Sequence, residues 1–197
     1  MTADQMPTDA SDRRLVIYGD FNCLFSALAS SRAARLERRG IAIDWRAVDH
    51  DPSIRPGGEP TTAAVRDAIG EELAQIRGLL TSDEEDRRRV PSKRVNTWLV
   101  CRGFAACPPA ARCAQREALF SAYWRDDLDL GDNQVVRRFC GERRDNVTAS
   151  RWREEWVALP SPLVPVMVLP DGDVSRGVEA LHRLADLMHS AARVPRR

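Results

Sequence analysis

The chain has 197 residues, of which 43% are hydrophobic and 30% are charged, and its 30 basic and 29 acidic side chains leave a formal net charge of +1. This length and hydrophobic content suffice for one substantial core, while the balanced charge excludes an overall field that would steer the protein to nucleic acid or to an anionic membrane. No apolar run approaches the length of a membrane-spanning helix, so the composition predicts a soluble globular protein.

The N-terminus and the cysteine content bear on cellular location. Residues 1–14 are polar and lack the apolar segment of a secretion signal or a membrane anchor, so we interpret them as a disordered lead-in. The chain has five cysteines, which is an odd number, and their spacing does not match the paired cysteines of a small secreted domain held together by disulfides. We therefore expect a cytoplasmic protein whose thiols are mostly free.

A strand, a helix and a strand open the ordered part of the chain. Residues 15–18 are apolar and β-branched, as in buried strands, and turn-forming residues follow them. Apolar and small residues recur every three to four positions over 23–39 and predict a helix that ends at Gly40. Residues 41–48 predict a second strand. This order predicts a right-handed unit with parallel strands.

The middle of the chain changes to helical periodicity. Helices are predicted wherever apolar residues recur at helical spacing between proline-rich or charged breaks, namely over 61–80, 92–104, 110–124 and 133–143. The charged stretch 81–89 is expected to be exposed. We therefore predict a helical insertion domain over residues 58–150, with no strand within 92–143.

The end of the chain returns to strands. Residues 164–176 predict two short strands joined by a hairpin turn at Pro170-Asp171-Gly172-Asp173. Residues 178–191 have one apolar face and predict an amphipathic helix. The segments 15–57 and 151–197 thus join a βαβ half to a ββα half around one sheet, which is the arrangement of a thioredoxin-like α/β domain.

Several stretches resemble one known family. The sequence Asp20-Phe21-Asn22-Cys23-Leu24-Phe25-Ser26 resembles the Asp-Phe-x-Cys-Pro-x-Cys motif that begins the first helix of DsbA-like oxidoreductases. Weaker similarities follow in the same order at 43–48, 95–97, 115–124, 128–132 and 164–168. Related branches are the cytosolic polyketide-associated proteins, the 2-hydroxychromene-2-carboxylate isomerases and the kappa-class glutathione transferases. The resemblance implies a thioredoxin-like fold with a helical insertion.

The resemblance also implies the site residues. Cys23 and Ser26 take the catalytic positions. The implied substrate-binding residues flank Cys23 or form a backbone clamp with a cis peptide bond: Phe21, Asn22, Leu24, Phe25, Val164 and Pro165. Leu24 replaces the family's usual proline and Ser26 replaces its second cysteine, which argues against a dithiol oxidase.

The position of Cys23 suggests its chemistry. A cysteine at a helix N-terminus faces free backbone N–H groups and the positive end of the helix dipole, and both stabilise a thiolate. We therefore expect Cys23 to be unusually acidic and to attack a disulfide or an electrophile, while Ser26 donates a hydrogen bond to its sulfur. Because a hydroxyl cannot form a disulfide, such a monothiol site needs an outside thiol such as glutathione.

Three functions stay open. The first is a monothiol thiol-disulfide oxidoreductase acting on a small-molecule thiol or disulfide, or on a peptide disulfide. The second is a glutathione-dependent isomerase or transferase, and the third is an inactive binding module that keeps the groove. No cofactor is obligatory in these functions, and glutathione is the candidate one. We expect no nucleic-acid or membrane partner, and a homodimer stays open.

The other cysteines and the histidines are given structural roles. Cys101, Cys107 and Cys113 are six residues apart, which is not the close-pair spacing of a zinc site, and we expect no metal. These three and Cys140 are interpreted as buried thiols. Surface or capping roles are expected for the histidines, which lie apart from any pattern of carboxylate and cysteine: His50, His182 and His189.

Overall fold

The computed structural model describes residues 14–192, so the expected lead-in, apart from Arg14, lies outside the described residues. Strands and helices follow one another along this part of the chain in an order that mixes both types. They are β1 (Leu15–Gly19), α1 (Leu24–Glu37), β2 (Ile43–Ala47), β3 (Glu59–Pro60), α2 (Ala63–Gly78), β4 (Lys93–Arg94), α3 (Trp98–Ala105), a short 3₁₀ turn (Pro109–Ala111), α4 (Arg112–Trp124), α5 (Asn133–Cys140), α6 (Asn146–Val157), β5 (Val166–Val168), β6 (Val174–Arg176) and α7 (Gly177–Ala192).

Four strands form one mixed sheet in the order β2-β1-β5-β6. β1 and β2 run parallel, with Ile17 opposite Trp45, whereas β5 pairs antiparallel with both β1 and β6. The parallel pair and the β5–β6 hairpin confirm the predicted strands at both ends of the chain. The sheet therefore places the loop after β1 beside the approach to β5.

The helix that follows β1 is anchored from several sides. α1 packs against α2, α4 and α7, and most of its residues are buried. Its buried Arg32 donates to the carbonyls of Leu181 and Leu79, each at 2.6 Å, and pairs with Glu84 at 2.8 Å. A buried charge with its donors satisfied holds these segments in fixed relation. The N-terminus of α1 is thus held in place.

The segment between the two halves of the sheet differs in detail from the prediction. Its four predicted helices are present with shorter bounds, but the expectation of no strand in 92–143 is wrong. Lys93–Arg94 pairs antiparallel with Glu59–Pro60 in a separate two-stranded ladder. Both basic side chains there also form ion pairs, Lys93 with Asp129 and Arg94 with Asp51. These pairings are non-local, so helical periodicity gives no sign of them.

The sequence pattern does not predict helix α6. Its N-cap is Asp145, whose side chain accepts a hydrogen bond from the Thr148 backbone N–H at 2.9 Å. Only three of its residues are buried, Ala149, Trp152 and Trp156, and charged residues separate them. None of the helices within residues 14–192 is long and apolar enough to cross a membrane.

Aromatic side chains join the sheet to the helical segment. The Phe21 ring lies 5.0 Å from that of Phe120 and 5.7 Å from that of Phe104, measured between centroids. Trp45 on β2 meets Phe120 edge to face at 5.8 Å. Such contacts add to the free energy gained by burying the rings. The loop after β1 is therefore packed between the sheet and helices α3 and α4.

Candidate active site

Cys23 is the N-cap residue of α1. Its backbone is extended, with φ −103° and ψ 122°, and its sulfur accepts a hydrogen bond from the Ser26 backbone N–H at 3.5 Å. The thiol thus takes the position in which a serine or aspartate oxygen usually caps a helix. The side chain at the start of α1 is consequently held against the free end of the helix, as the motif indicates.

Ser26 connects the end of β1 to the same sulfur. It is buried, and its Oγ accepts a hydrogen bond from the Asp20 backbone N–H at 3.2 Å. The Ser26 side chain also hydrogen-bonds the Cys23 thiol, which lowers the pKa of Cys23. A hydroxyl can accept one hydrogen bond and donate another. Ser26 therefore fixes the loop geometry while it supports the sulfur.

Val164 faces the sulfur from the approach to β5. The Cys23 thiol donates to the Val164 carbonyl with 3.8 Å between sulfur and oxygen. The Val164–Pro165 bond is cis, as the resemblance implies. Within residues 14–192 the Val164 backbone N–H has no hydrogen-bond partner. A backbone N–H that has no partner can donate to the backbone of an added peptide.

These groups open on a cavity of about 420 Å³. A cavity of this size lies in the range of small-molecule sites. α2 supplies a mainly apolar part of the wall, and polar groups come from the loops after β1 and β2 and from β4. The lining residues are Asn22, Cys23, Phe25, His50, Asp51, Val65, Ala68, Ile69, Glu72, Arg94, Tyr123, Trp124, Leu163 and Val164.

Asp20 and His50 form a pair beside Cys23. The buried Asp20 carboxylate accepts a hydrogen bond from the His50 backbone N–H at 2.8 Å and lies 2.7 Å from His50 Nδ1. Burial lowers the pKa of His50, but the hydrogen bond with Asp20 and the charge of Asp20 outweigh burial and raise it. His50 is exposed, as expected, but it also has a fixed contact with Asp20 beside Cys23, which the sequence analysis does not predict.

The order and direction of the strands predict that Asp20 and His50 lie close together. Asp20 follows the carboxyl end of β1, and His50 follows the carboxyl end of the parallel neighbour β2. Residues beyond the carboxyl ends of adjacent parallel strands meet at one edge of a sheet, where ligands often bind. Once the two strands are predicted to be parallel, Asp20 and His50 are expected to lie close together.

The surroundings of Cys23 oppose its ionisation. Burial raises the pKa of the thiol, hydrogen bonds from Ser26 lower it, and the charge of Asp20 raises it again, which leaves the pKa at about 11. At pH 7 such a thiol is ionised in roughly one molecule in ten thousand. The expectation of an unusually acidic Cys23 is therefore wrong, because desolvation and a buried carboxylate outweigh the helix terminus.

Only some of the residues implied as substrate contacts reach the cavity. Asn22, Phe25 and Val164 line it, and Asn22 Nδ2 is held by the Val95 carbonyl at 2.9 Å. The others lie in the interior and do not line the cavity: Phe21, Leu24 and Pro165. The backbone of Phe21 is fixed there, since its carbonyl accepts from Trp124 Nε1 at 2.9 Å.

The comparisons with known proteins give structural neighbours. No family model and no curated protein matches the sequence. A structure described as a probable DsbA oxidoreductase from Streptomyces coelicolor is 17% identical, with a TM-score of 0.64 over 94% of this chain and 93% of that one. A 2-hydroxychromene-2-carboxylate isomerase is 21% identical, with a TM-score of 0.57 over 91% and 96%. The cytosolic disulfide reductase DsbM from Pseudomonas aeruginosa, solved with GSH, is 16% identical, with a TM-score of 0.59 over 91% and 97%.

Proposed function

Since the chain has the thioredoxin-like fold of DsbA-like oxidoreductases and isomerases, we propose that it is a monothiol thiol-disulfide oxidoreductase that uses a small thiol such as glutathione. The observation that carries this proposal is the Cys23 sulfur at the N-cap of α1, 3.5 Å from the Ser26 nitrogen and 3.8 Å from the Val164 oxygen, at the edge of a cavity. A cytoplasmic location belongs to the proposal. The free cysteines of the described residues and the cytosolic reductase among the neighbours support that location.

The reaction proceeds in two exchanges. The Cys23 sulfur attacks one sulfur of a disulfide, the S–S bond breaks, and the departing sulfur takes up the proton that Cys23 loses. The outside thiol then attacks the mixed disulfide, restores the Cys23 thiol and leaves as a disulfide with the other sulfur. Because Ser26 cannot supply a sulfur, the second exchange depends on the outside thiol.

The other groups at the cavity bind and move a proton. The free Val164 N–H and its carbonyl pair with the backbone of a peptide-like ligand. The Asp20 contact holds Nδ1 of His50, so Nε2 is the ring nitrogen left to exchange protons with a ligand. Because Cys23 is protonated at rest, we assign His50 as the group that holds and returns the proton during exchange.

Mass spectrometry after mixing with oxidised glutathione tests the proposal. The wild type should gain one glutathionyl group on Cys23, and reduced glutathione should remove it. Cys23→Ala should lose this adduct, whereas Cys113→Ala is a matched control at another half-buried cysteine and should keep it. An unmodified Cys23 at pH 9, where more of the thiol is ionised, would overturn the proposal.

A glutathione-dependent isomerase or transferase is the second candidate. It is favoured by the raised pKa of Cys23 and by the apolar wall of Val65, Ala68 and Ile69, which suits a hydrophobic electrophile. In this function the sulfur of bound glutathione is the nucleophile, and Cys23 only donates a hydrogen bond to it. Cys23→Ser separates the two candidates, because it abolishes thiol-disulfide exchange but keeps a hydrogen-bond donor for the second reaction.

A further inference from the structure

Cys107 and Cys140 form a second thiol site, outside the lining of the Cys23 cavity. Cys107 follows the end of α3, and Cys140 is the last residue of α5. The Cys107 thiol donates to the Gly103 carbonyl at 3.4 Å. A Cβ atom at Gly103 would lie 3.3 Å from the Cys140 sulfur and 3.0 Å from its Cβ. The missing side chain of Gly103 therefore lets α5 approach α3 and brings both thiols to one place.

The surroundings shift the pKa values of the two thiols in opposite directions. A hydrogen bond with Cys140 lowers the pKa of Cys107, burial opposes this, and the charges of Arg112 and Arg144 lower it further. The same hydrogen bond and burial raise the pKa of Cys140. Arg112 is fixed at the site, because its Nε donates to the Cys107 carbonyl at 3.2 Å. Cys107 is thus the better nucleophile, and Cys140 keeps its proton beside it.

Access to the pair is narrow. Cys107 is 7% exposed, and Cys140 is half-buried. The Cys140 sulfur also accepts a hydrogen bond from Gln115 Nε2 at 3.9 Å. An oxidant of the size of water can reach such thiols more readily than a disulfide carried by a protein. The geometry therefore favours a small peroxide as the reactant.

We propose that Cys107 and Cys140 are a redox-active dithiol that hydrogen peroxide converts to an intramolecular disulfide. The Cys107 sulfur attacks one peroxide oxygen and the O–O bond breaks, so that sulfur is oxidised to a sulfenic acid and the other oxygen leaves as water. The Cys140 sulfur then attacks the Cys107 sulfur, and its proton leaves with the sulfenic hydroxyl as a second water. Two thiols and one peroxide thus give one disulfide and two waters.

The disulfide would join the two ends of a segment that forms part of the wall of the Cys23 cavity. The residues between Cys107 and Cys140 include α4, which carries Tyr123 and Trp124 to the cavity of Cys23. A bond between the ends of α3 and α5 would close this segment into a covalent loop. The dithiol does not depend on the proposed exchange at Cys23, and it can be tested without that thiol.

The experiment uses the full chain with Cys23→Ala, so that the cavity thiol does not compete. The protein is treated with stoichiometric hydrogen peroxide, alkylated after unfolding, digested and analysed by mass spectrometry. We expect a peptide pair joined through Cys107 and Cys140, the loss of two hydrogens from the intact mass, and unchanged alkylation of Cys101 and Cys113. Alkylation of both Cys107 and Cys140 after this treatment would overturn the proposal.

Two further variants separate chemistry from folding. With Cys140→Ser, the sulfenic acid at Cys107 has no partner and should be trapped by dimedone, whereas Cys107→Ser should give no adduct at Cys140. Gly103→Ala should push α5 away and slow disulfide closure severalfold, while dimedone still labels Cys107. The absence of dimedone labelling in a folded Cys140→Ser protein would contradict the assignment of Cys107 as the attacking sulfur.

Discussion

Cys23 and Cys107 lie at opposite ends of helices. Cys23 caps the N-terminus of α1, where the helix dipole favours a thiolate, and Cys107 follows the C-terminus of α3, where the dipole opposes one. The pKa shifts are opposite to those that the helix dipole alone would give: the pKa of Cys23 is raised to about 11, and the pKa of Cys107 is below its ordinary value. At these two thiols, burial, a neighbouring carboxylate and hydrogen-bond partners therefore outweigh the helix terminus.

The difference follows from what each sulfur meets. Burial desolvates Cys23, and the charge of the buried Asp20 acts on it, and both disfavour its charged form. For Cys107, hydrogen bonding with Cys140 lowers the pKa, burial opposes this, and the charges of Arg112 and Arg144 lower it further. Cys107 is thus more readily ionised than an ordinary cysteine, whereas Cys23 needs a proton acceptor when its ligand binds.

The largest expected effect is on the pH dependence of alkylation. Because only the thiolate reacts, the rate of iodoacetamide labelling at Cys23 should rise about tenfold per pH unit, or about a thousandfold between pH 7 and pH 10. The rate at Cys107 should level off at a lower pH, since the pKa of Cys107 is lowered. Site-resolved mass spectrometry measures both rates in one sample. A rate at Cys23 that stays constant from pH 7 to pH 9 would remove the contrast between the thiols.

Asp20→Asn should bring the two thiols closer together in reactivity. The charge of Asp20 raises the pKa of Cys23, so its removal should lower that pKa and speed alkylation at pH 7 by roughly tenfold. Asp49→Asn is the matched control, because Asp49 is also buried at this end of the sheet but is not a cause of the Cys23 shift. Equal acceleration in both variants would show a general loosening of the site instead of a charge effect.

Cys140→Ala should have a smaller effect on the other thiol. Its hydrogen bond is the main cause that lowers the pKa of Cys107, so its loss should raise that pKa and slow the labelling of Cys107 at pH 7 severalfold. Cys113→Ala removes a thiol that does not act on Cys107 and should leave the rate unchanged. Faster labelling of Cys107 in Cys140→Ala would mean that Cys140 mainly shields Cys107 from the reagent.

Much of the fold can be predicted from the sequence because the patterns that indicate its elements lie within short stretches of the chain. The apolar run before Cys23, the helical spacing after it and the Pro170–Asp173 turn each depend on adjacent residues, and each element is present. The β3–β4 ladder depends instead on residues that are distant in sequence. The helix α6 buries only a narrow stripe, so its periodicity is weak within a charged segment.

The site is only partly readable for the same reason. Local sequence places Cys23 at the start of the helix and Ser26 in its first turn, which is where both lie. The Asp20–His50 pair and the Cys107–Cys140 pair arise from tertiary packing across 30 residues or more. The pKa of Cys23 could not be predicted from the motif, because its main cause is burial by residues from other parts of the chain.

The smallest expected effect is on stability and comes from His50. Asp20 raises the pKa of His50, so protonated His50 contributes stability that is complete below the pKa of an unfolded histidine and is lost as the pH rises through the folded value. The thermal unfolding midpoint of the wild type should therefore fall slightly between pH 6 and pH 8, and His50→Gln should lack this part of the fall. His182→Gln is the matched control, because His182 is exposed on α7 and should keep the wild-type profile. A His50→Gln profile parallel to that of the wild type would mean that the Asp20–His50 pair is not charged in the folded protein, and His50 would then act in the cavity only as a neutral ring held by Asp20.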